Sequence, residues 1–161
     1  MPNSHHSPNA ASPGVVTALA VSGVEADRIA LARIFCELQW KLCLSATICQ
    51  ARAHLTRQVF PVVICDASLE DGSWTALFQY TRTLSTPPNM VVSLRVADER
   101  LWCEVLNLGG YDVLCTPFDH REVAHVVRCA FDYAFRRNGT PKAAGSDDET
   151  PRMLRAAGGS L

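Results

Sequence analysis

The polar residues best placed for chemistry in this sequence follow directly on short apolar runs. Asp66 ends the run at 62–65. Three hydroxyl residues, Ser22, Ser93 and Thr116, follow other runs in the same way. A carboxylate in such a position can act as a nucleophile and accept a phosphoryl group as an acyl phosphate. It can equally cap a helix or close a loop, so position alone leaves both roles open.

Short apolar runs alternate with helical patterns between these residues. The predicted strands are 15–21, 42–46, 62–65, 90–93 and 111–114. The predicted helices are one with the apolar face Leu31, Ile34, Phe35 and Leu38, three at 48–58, 73–83 and 98–108, and one that opens at Asp119. Five βα units with short connections predict a doubly wound parallel sheet with helices on both faces. Functional groups of such sheets gather outside the carboxyl ends of the strands, where Asp66 would lie.

Composition predicts one domain at 15–137 between two polar tails. The chain has 161 residues, of which 48% are hydrophobic, which is enough for one core of ordinary size. Residues 1–14 and 138–161 are rich in Pro, Ser, Gly or charge without sustained periodicity, so we predict disordered tails there. The net charge of -1 argues against direct nucleic-acid binding. No apolar run is long enough to span a membrane.

The spacing of the cysteines and histidines argues against disulfide bonds and metal binding. Seven cysteines form no C-x-x-C pair and mostly fall within apolar runs, which predicts buried free thiols in a reducing cytoplasm. The histidines show no recurring ligand spacing, so solvated or helix-surface positions are expected for His5, His6, His54, His120 and His125.

Three stretches, in the right order, resemble the receiver domain of bacterial two-component response regulators. "VVICDASLEDG" is similar to the strand-3 aspartate and its loop, and "MVVSL" to a fourth strand that ends in Ser or Thr. "NLGGYDVLCTPFDHREV" is similar to the segment that leads into the last helix. The resemblance covers 15–136 and implies the flavodoxin-like strand order 2-1-3-4-5.

The same resemblance implies roles for individual residues and partners. Asp66 would be the phosphoacceptor, Ser93 the switch hydroxyl that bonds the phosphoryl oxygen, and Pro117 would follow a cis peptide bond. The chain would then be a signalling module and not an enzyme. Its partners would be a sensor histidine kinase or phosphotransferase and a downstream protein.

The sequence departs from the receiver pattern at the positions of the two metal-binding acids and of the lysine. Receivers place two acids after strand 1 to hold Mg²⁺, and here those positions are Ser22 and Gly23. The lysine after strand 5 is replaced by Thr116. We therefore expect weak Mg²⁺ binding, because neither Ser22 nor Gly23 supplies formal charge to a cation that dehydrates reluctantly.

Nearby charged residues offer substitutes. Glu25, Glu70 and Asp71 are candidates for a displaced metal site, and Arg28 and Arg95 are candidates for the missing cation.

Two other functions stay open at this point. A pseudo-receiver would bind proteins without phosphorylation, and the missing acids and lysine favour it. A flavodoxin-like enzyme or nucleotide binder would use the same sheet edge. The loop "VSGVEAD" suits a nucleotide poorly because Glu25 and Asp27 would repel phosphate.

Overall fold

The computed structural model describes residues 14–139, in which strands and helices alternate. The strands are β1 (Thr17–Val21), β2 (Lys41–Ser45), β3 (Val62–Asp66), β4 (Ser68–Leu69), β5 (Gly72–Ser73), β6 (Asn89–Leu94) and β7 (Asp112–Cys115). The helices are α1 (Glu25–Glu37), α2 (Ile48–Arg57), α3 (Trp74–Thr81), α4 (Glu99–Leu108) and α5 (His120–Gly139).

Five strands form one parallel sheet in the order β2-β1-β3-β6-β7. This is the predicted order 2-1-3-4-5 when only the strands of this sheet are counted, so the predicted topology is confirmed. The extra strands β4 and β5 form a small antiparallel hairpin between β3 and α3. The central strands β3 and β6 are buried along their whole length, as expected for parallel strands covered on both faces.

Two apolar clusters cover the two faces of the sheet. Alternate side chains of one strand enter different clusters, because successive Cβ atoms point to opposite faces. On β3, Val63 and Cys65 pack with residues of α2, α3 and α4, whereas Val62 and Ile64 pack with residues of α1 and α5. The helices therefore lie on both faces, as predicted.

The last helix extends slightly beyond the predicted end of the domain. α5 continues to Gly139, two residues beyond the predicted limit at 137. Apart from Gly14 and residues 138 and 139, the predicted tails lie outside the described residues, as do His5 and His6.

All seven cysteines are free, but the prediction that they are buried is wrong for most of them. Cys36, Cys49 and Cys103 are exposed because they lie on the outer faces of helices, and only Cys65 is fully buried. Burial raises the pKa of the Cys65 thiol, which keeps it protonated and unreactive.

A buried asparagine ties the start of β6 to α5. The Asn89 side chain is 6% exposed and its Nδ2 donates to the carbonyl oxygen of Ala130 at 2.8 Å. Its Oδ1 accepts from Nη1 of Arg137 at 3.4 Å, and Nη2 of Arg137 donates to the carbonyl oxygen of Pro87. This contact fixes the strand whose other end carries Ser93.

Replacing Asn89 with alanine is expected to lower the free energy of unfolding by about 1–2 kcal/mol, because a buried hydrogen-bonding group is lost. The urea midpoint measures this loss. Asn107→Ala on the exposed face of α4 is the matched control and should change the midpoint little. Equal effects of the two substitutions would contradict the role given to Asn89.

Candidate functional site

The carboxyl ends of the parallel strands bring Asp66 and Ser93 together. These residues are register partners at the ends of β3 and β6. Both are buried, with Asp66 8% and Ser93 4% exposed. Ser22 follows the end of β1 on the other side of β3 and is also buried. The carboxylate thus lies between two hydroxyl groups at the edge of the sheet.

Both oxygens of the Asp66 carboxylate accept a hydrogen bond from a serine. Ser22 Oγ donates to Oδ2 at 2.7 Å, and Ser93 Oγ donates to Oδ1 at 2.5 Å. Ser22 Oγ is oriented in turn by the backbone N–H of Val24, which donates to it at 3.2 Å. Hydroxyl donors stabilise the ionised carboxylate but also withdraw electron density from its oxygens. Ser22 therefore forms a direct hydrogen bond to Asp66. Receivers carry an acid at the position of Ser22.

A pocket of about 280 Å³ opens beside this carboxylate. Its lining includes Asp66, Ser93, Arg95 and Thr116. Thr116 Oγ1 lies 3.4 Å from the carbonyl oxygen of Leu94, to which it donates, and the Thr116–Pro117 peptide bond is cis. The pocket therefore contains a hydroxyl at the position where receivers place an ammonium group.

The residues present do not fit the Mg²⁺ site of a receiver. Ser22 Oγ donates a hydrogen bond to Asp66, and Gly23 is exposed and has no side chain. Glu25 lies in the first turn of α1 and Glu70 is exposed in the hairpin loop. Between residues 14 and 139, no group of three or more His, Cys, Asp or Glu side chains is arranged to hold a metal ion. Glu25, Glu70 and Asp71 are therefore not gathered into such a group.

Asp71 connects the hairpin loop to the start of α2. Its Oδ1 and Oδ2 accept from the backbone N–H groups of Ile48 and Cys49, at 2.9 and 3.0 Å. The hairpin loop thereby caps the N-terminus of α2. These backbone hydrogen bonds lower the pKa of Asp71 below its ordinary value of 3.8.

The lowered pKa of Asp71 predicts a pH-dependent contribution to stability. A carboxylate with a depressed pKa in the folded chain stabilises the fold above its unfolded pKa, and this stability is lost as the pH falls through the folded pKa. The difference in urea midpoint between the wild type and Asp71→Asn should therefore be largest near neutral pH and shrink below about pH 4. Glu70→Gln removes a negative charge from the same loop and is the matched control. A difference that stays constant from pH 7 to 3 would contradict this assignment.

The two candidate arginines lie beside the site and are held by other groups. Arg28 Nη1 donates to the carbonyl oxygen of Ser22 at 2.7 Å. Arg95 Nη2 forms an ion pair with Oδ2 of Asp27 at 2.9 Å. The Arg95 side chain is 55% exposed and that of Asp27 is 12% exposed. Both guanidinium groups thus donate to partners other than Asp66, although Arg95 borders the same pocket as Asp66.

The role of Asp27 was not predicted from the sequence. Its charge was expected only to repel phosphate near a loop, whereas in the structure Asp27 is buried and pairs with Arg95. A signal was present, because Asp27 precedes Leu31 and Ile34 by four and seven residues on the buried face of α1. An acid on a helix face that is otherwise apolar requires a partner.

Solved structures with the same arrangement of strands and helices are receiver domains. The signal receiver domain of an HD domain-containing protein from Pseudomonas fluorescens Pf-5 matches at 20% identity, with a TM-score of 0.69, over 76% of this chain and 90% of that chain. A response regulator receiver domain protein (CheY-like) from Methanospirillum hungatei JF-1 matches at 17% identity, with a TM-score of 0.68, over 76% and 98%. The chain has the receiver fold.

A third structure, the chemotaxis response regulator CheY4 of Vibrio cholerae, matches this receiver fold at 15% identity, with a TM-score of 0.66, over 72% of this chain and 98% of that chain. No protein-family model matches the sequence, and no curated protein sequence matches it. The receiver fold is thus formed by a sequence that is at most 20% identical to these three structures. Within the described part of the chain, every helix is too short or too polar to cross a bilayer.

Proposed function

We propose that this chain is a receiver domain of a two-component phosphorelay, which accepts a phosphoryl group on Asp66 and signals through protein contacts. The observation that supports this most strongly is the Asp66–Ser93 pair. A buried carboxylate and a hydroxyl meet at the carboxyl ends of two central parallel strands, and both border one open pocket. In this role the chain is a signalling module and not an enzyme.

The chemistry requires a carboxylate oxygen of Asp66 to attack phosphorus. The donor is a phosphohistidine of a sensor histidine kinase or a phosphotransferase. An O–P bond forms to Asp66, the N–P bond breaks, and the electron pair of that bond stays on the imidazole nitrogen. Ser93 Oγ then donates its hydrogen bond to a phosphoryl oxygen instead of to Oδ1.

The serine hydrogen bonds predict slow phosphorylation. Each of them occupies a lone pair of an oxygen that could attack phosphorus and lowers its nucleophilicity. No ammonium group from residue 116 neutralises the charge that develops, and the residues at 22 and 23 do not provide a metal site. Each remaining hydrogen bond to a charged group contributes about 1.5–3 kcal/mol. A population shift cannot exceed the differential interaction energy that drives it, so the conformational response should be small.

The loop that follows Ser93 is the route by which this response reaches a downstream protein. Residues 95–98 connect β6 to α4 and are exposed. Movement of the Ser93 hydroxyl toward a phosphoryl group would change this surface. We place the signalling in the cytoplasm, because seven free thiols suit a reducing compartment.

The alternative is a pseudo-receiver that binds proteins without phosphorylation. The Ser22 hydrogen bond favours it, because this bond satisfies Asp66 Oδ2 within the unmodified chain. The carboxylate would then serve as the acceptor that connects β1, β3 and β6 at the sheet edge.

Incubation of the purified protein with acetyl phosphate, followed by intact-mass measurement, tests the proposal. We expect slow addition of one phosphoryl group, at a rate that is nearly the same with Mg²⁺ or with a chelator. No addition after prolonged incubation, from acetyl phosphate or from a phosphorylated histidine phosphotransferase, would favour the pseudo-receiver.

A further inference from the structure

An ion pair crosses the sheet edge above the end of β3. Asp27 belongs to α1, which follows β1, and Arg95 belongs to the loop that follows β6. The strand order places β3 between β1 and β6. The Arg95–Asp27 pair therefore joins the segments on either side of Asp66.

Arg95 belongs both to an ion pair and to the lining of the pocket. It pairs with Asp27 through Nη2, and it lines the pocket that also contains Asp66, Ser93 and Thr116. A guanidinium group has five N–H donors, so one bond to Asp27 leaves capacity for a second anion. The side chain is 55% exposed, so the core does not fix its rotamer.

We propose that Arg95 is the cation that neutralises the phosphoryl group on Asp66. Asp27 holds this cation in the unmodified protein, and phosphorylation transfers it from Asp27 to the phosphoryl oxygens. This inference rests on the proposed phosphorylation of Asp66. The loop after β6 would then supply the positive charge in the pocket. Thr116, the pocket residue that follows β7, carries no charge.

Charge favours the transfer of Arg95 from Asp27 to the phosphoryl group. A phosphoryl group adds about 1.5–2 negative charges and three strong acceptor oxygens, whereas Asp27 offers a single carboxylate charge. Guanidinium groups bind phosphate oxygens through two parallel N–H donors, which favours the new partner. Arg28 is less suited to the task, because its Nη1 is already bound to the carbonyl oxygen of Ser22 at 2.7 Å.

The exchange would also carry the signal. Loss of the ion pair separates α1 from the loop after β6, and the buried Asp27 carboxylate then lacks its cation. The cost of this unpaired carboxylate opposes the exchange. Removal of the Asp27 charge should therefore favour phosphorylation, whereas removal of Arg95 should oppose it.

The rates of phosphoryl uptake from acetyl phosphate, measured by intact mass, test this inference. We expect Arg95→Ala to be slower than the wild type by about tenfold, since the charge-assisted hydrogen bonds of the guanidinium group are lost. Arg95→Lys should recover part of the rate, because it keeps the positive charge but not the paired donors. Asp27→Asn should be faster than the wild type. Arg33→Ala removes the same charge from the exposed face of α1 and should match the wild type.

The opposite rate changes expected for Arg95→Ala and Asp27→Asn distinguish this role from a purely structural one. Either substitution breaks the ion pair, so a bridge that only holds the loop would give slower uptake in both. That result, or an Arg95→Ala rate equal to the wild-type rate, would overturn the inference and leave the phosphorylation of Asp66 standing. Absence of uptake in the wild type would remove the proposed function, and this inference with it.

Discussion

Replacing Asp66 with asparagine is expected to abolish phosphoryl uptake from acetyl phosphate without unfolding the protein. The amide cannot attack phosphorus as a carboxylate does. Its oxygen can still accept from Ser22 or Ser93, and its nitrogen can donate to the other hydroxyl, so the hydrogen bonds at the sheet edge persist in altered form. Intact mass gives the uptake, and the urea midpoint shows that the fold remains.

Asp71→Asn is the matched control for this experiment. It removes a carboxylate five residues away that caps α2 and does not line the pocket. We expect it to take up phosphoryl at the wild-type rate while losing stability at neutral pH. If Asp66→Asn leaves uptake and partner binding unchanged, Asp66 is not the working group, and the pseudo-receiver interpretation replaces the phosphoacceptor.

Restoring two acids after β1 is expected to create a Mg²⁺ site where the wild type binds the ion weakly. Gly23 is exposed and a Cβ atom added at this position meets no atom within 4 Å, so the backbone there leaves room for a side chain. Ser22 lies against Asp66, so Ser22→Asp would bring a second carboxylate beside it. Clustered carboxylates repel each other until a cation binds, which favours Mg²⁺.

The measurement is the urea midpoint of the Ser22→Asp/Gly23→Asp variant as a function of Mg²⁺. A ligand at about 100 times its dissociation constant stabilises the folded state by about 2.7 kcal/mol. We expect such a gain in the variant at millimolar Mg²⁺ and little change in the wild type. The Ser22→Asn/Gly23→Asn variant has the same size without charge and should respond like the wild type. Saturation of the wild type at sub-millimolar Mg²⁺ would contradict the prediction.

The sequence alone was sufficient for the architecture. The five apolar runs that become the sheet, the helical periodicity between them and the short connections predicted a parallel sheet covered by helices, and the resemblance to receiver domains implied its strand order. The physical reason is that these signals are local: burial of a parallel strand on both faces requires a continuous apolar run, such as 62–65. The same pattern placed Asp66 and Ser93 at one edge, because parallel strands end together.

The tertiary structure decided how the polar groups at that edge are used. Asp71 and Arg28 had been candidates for metal and anion binding, but each is occupied by backbone groups of another segment. Ser22 donates to a carboxylate 44 residues away, and Arg95 pairs with an acid 68 residues away. Residue type and spacing along the chain do not encode such pairings, because hydrogen-bond and ion-pair partners are set by distances of a few ångströms between segments that only the fold brings together.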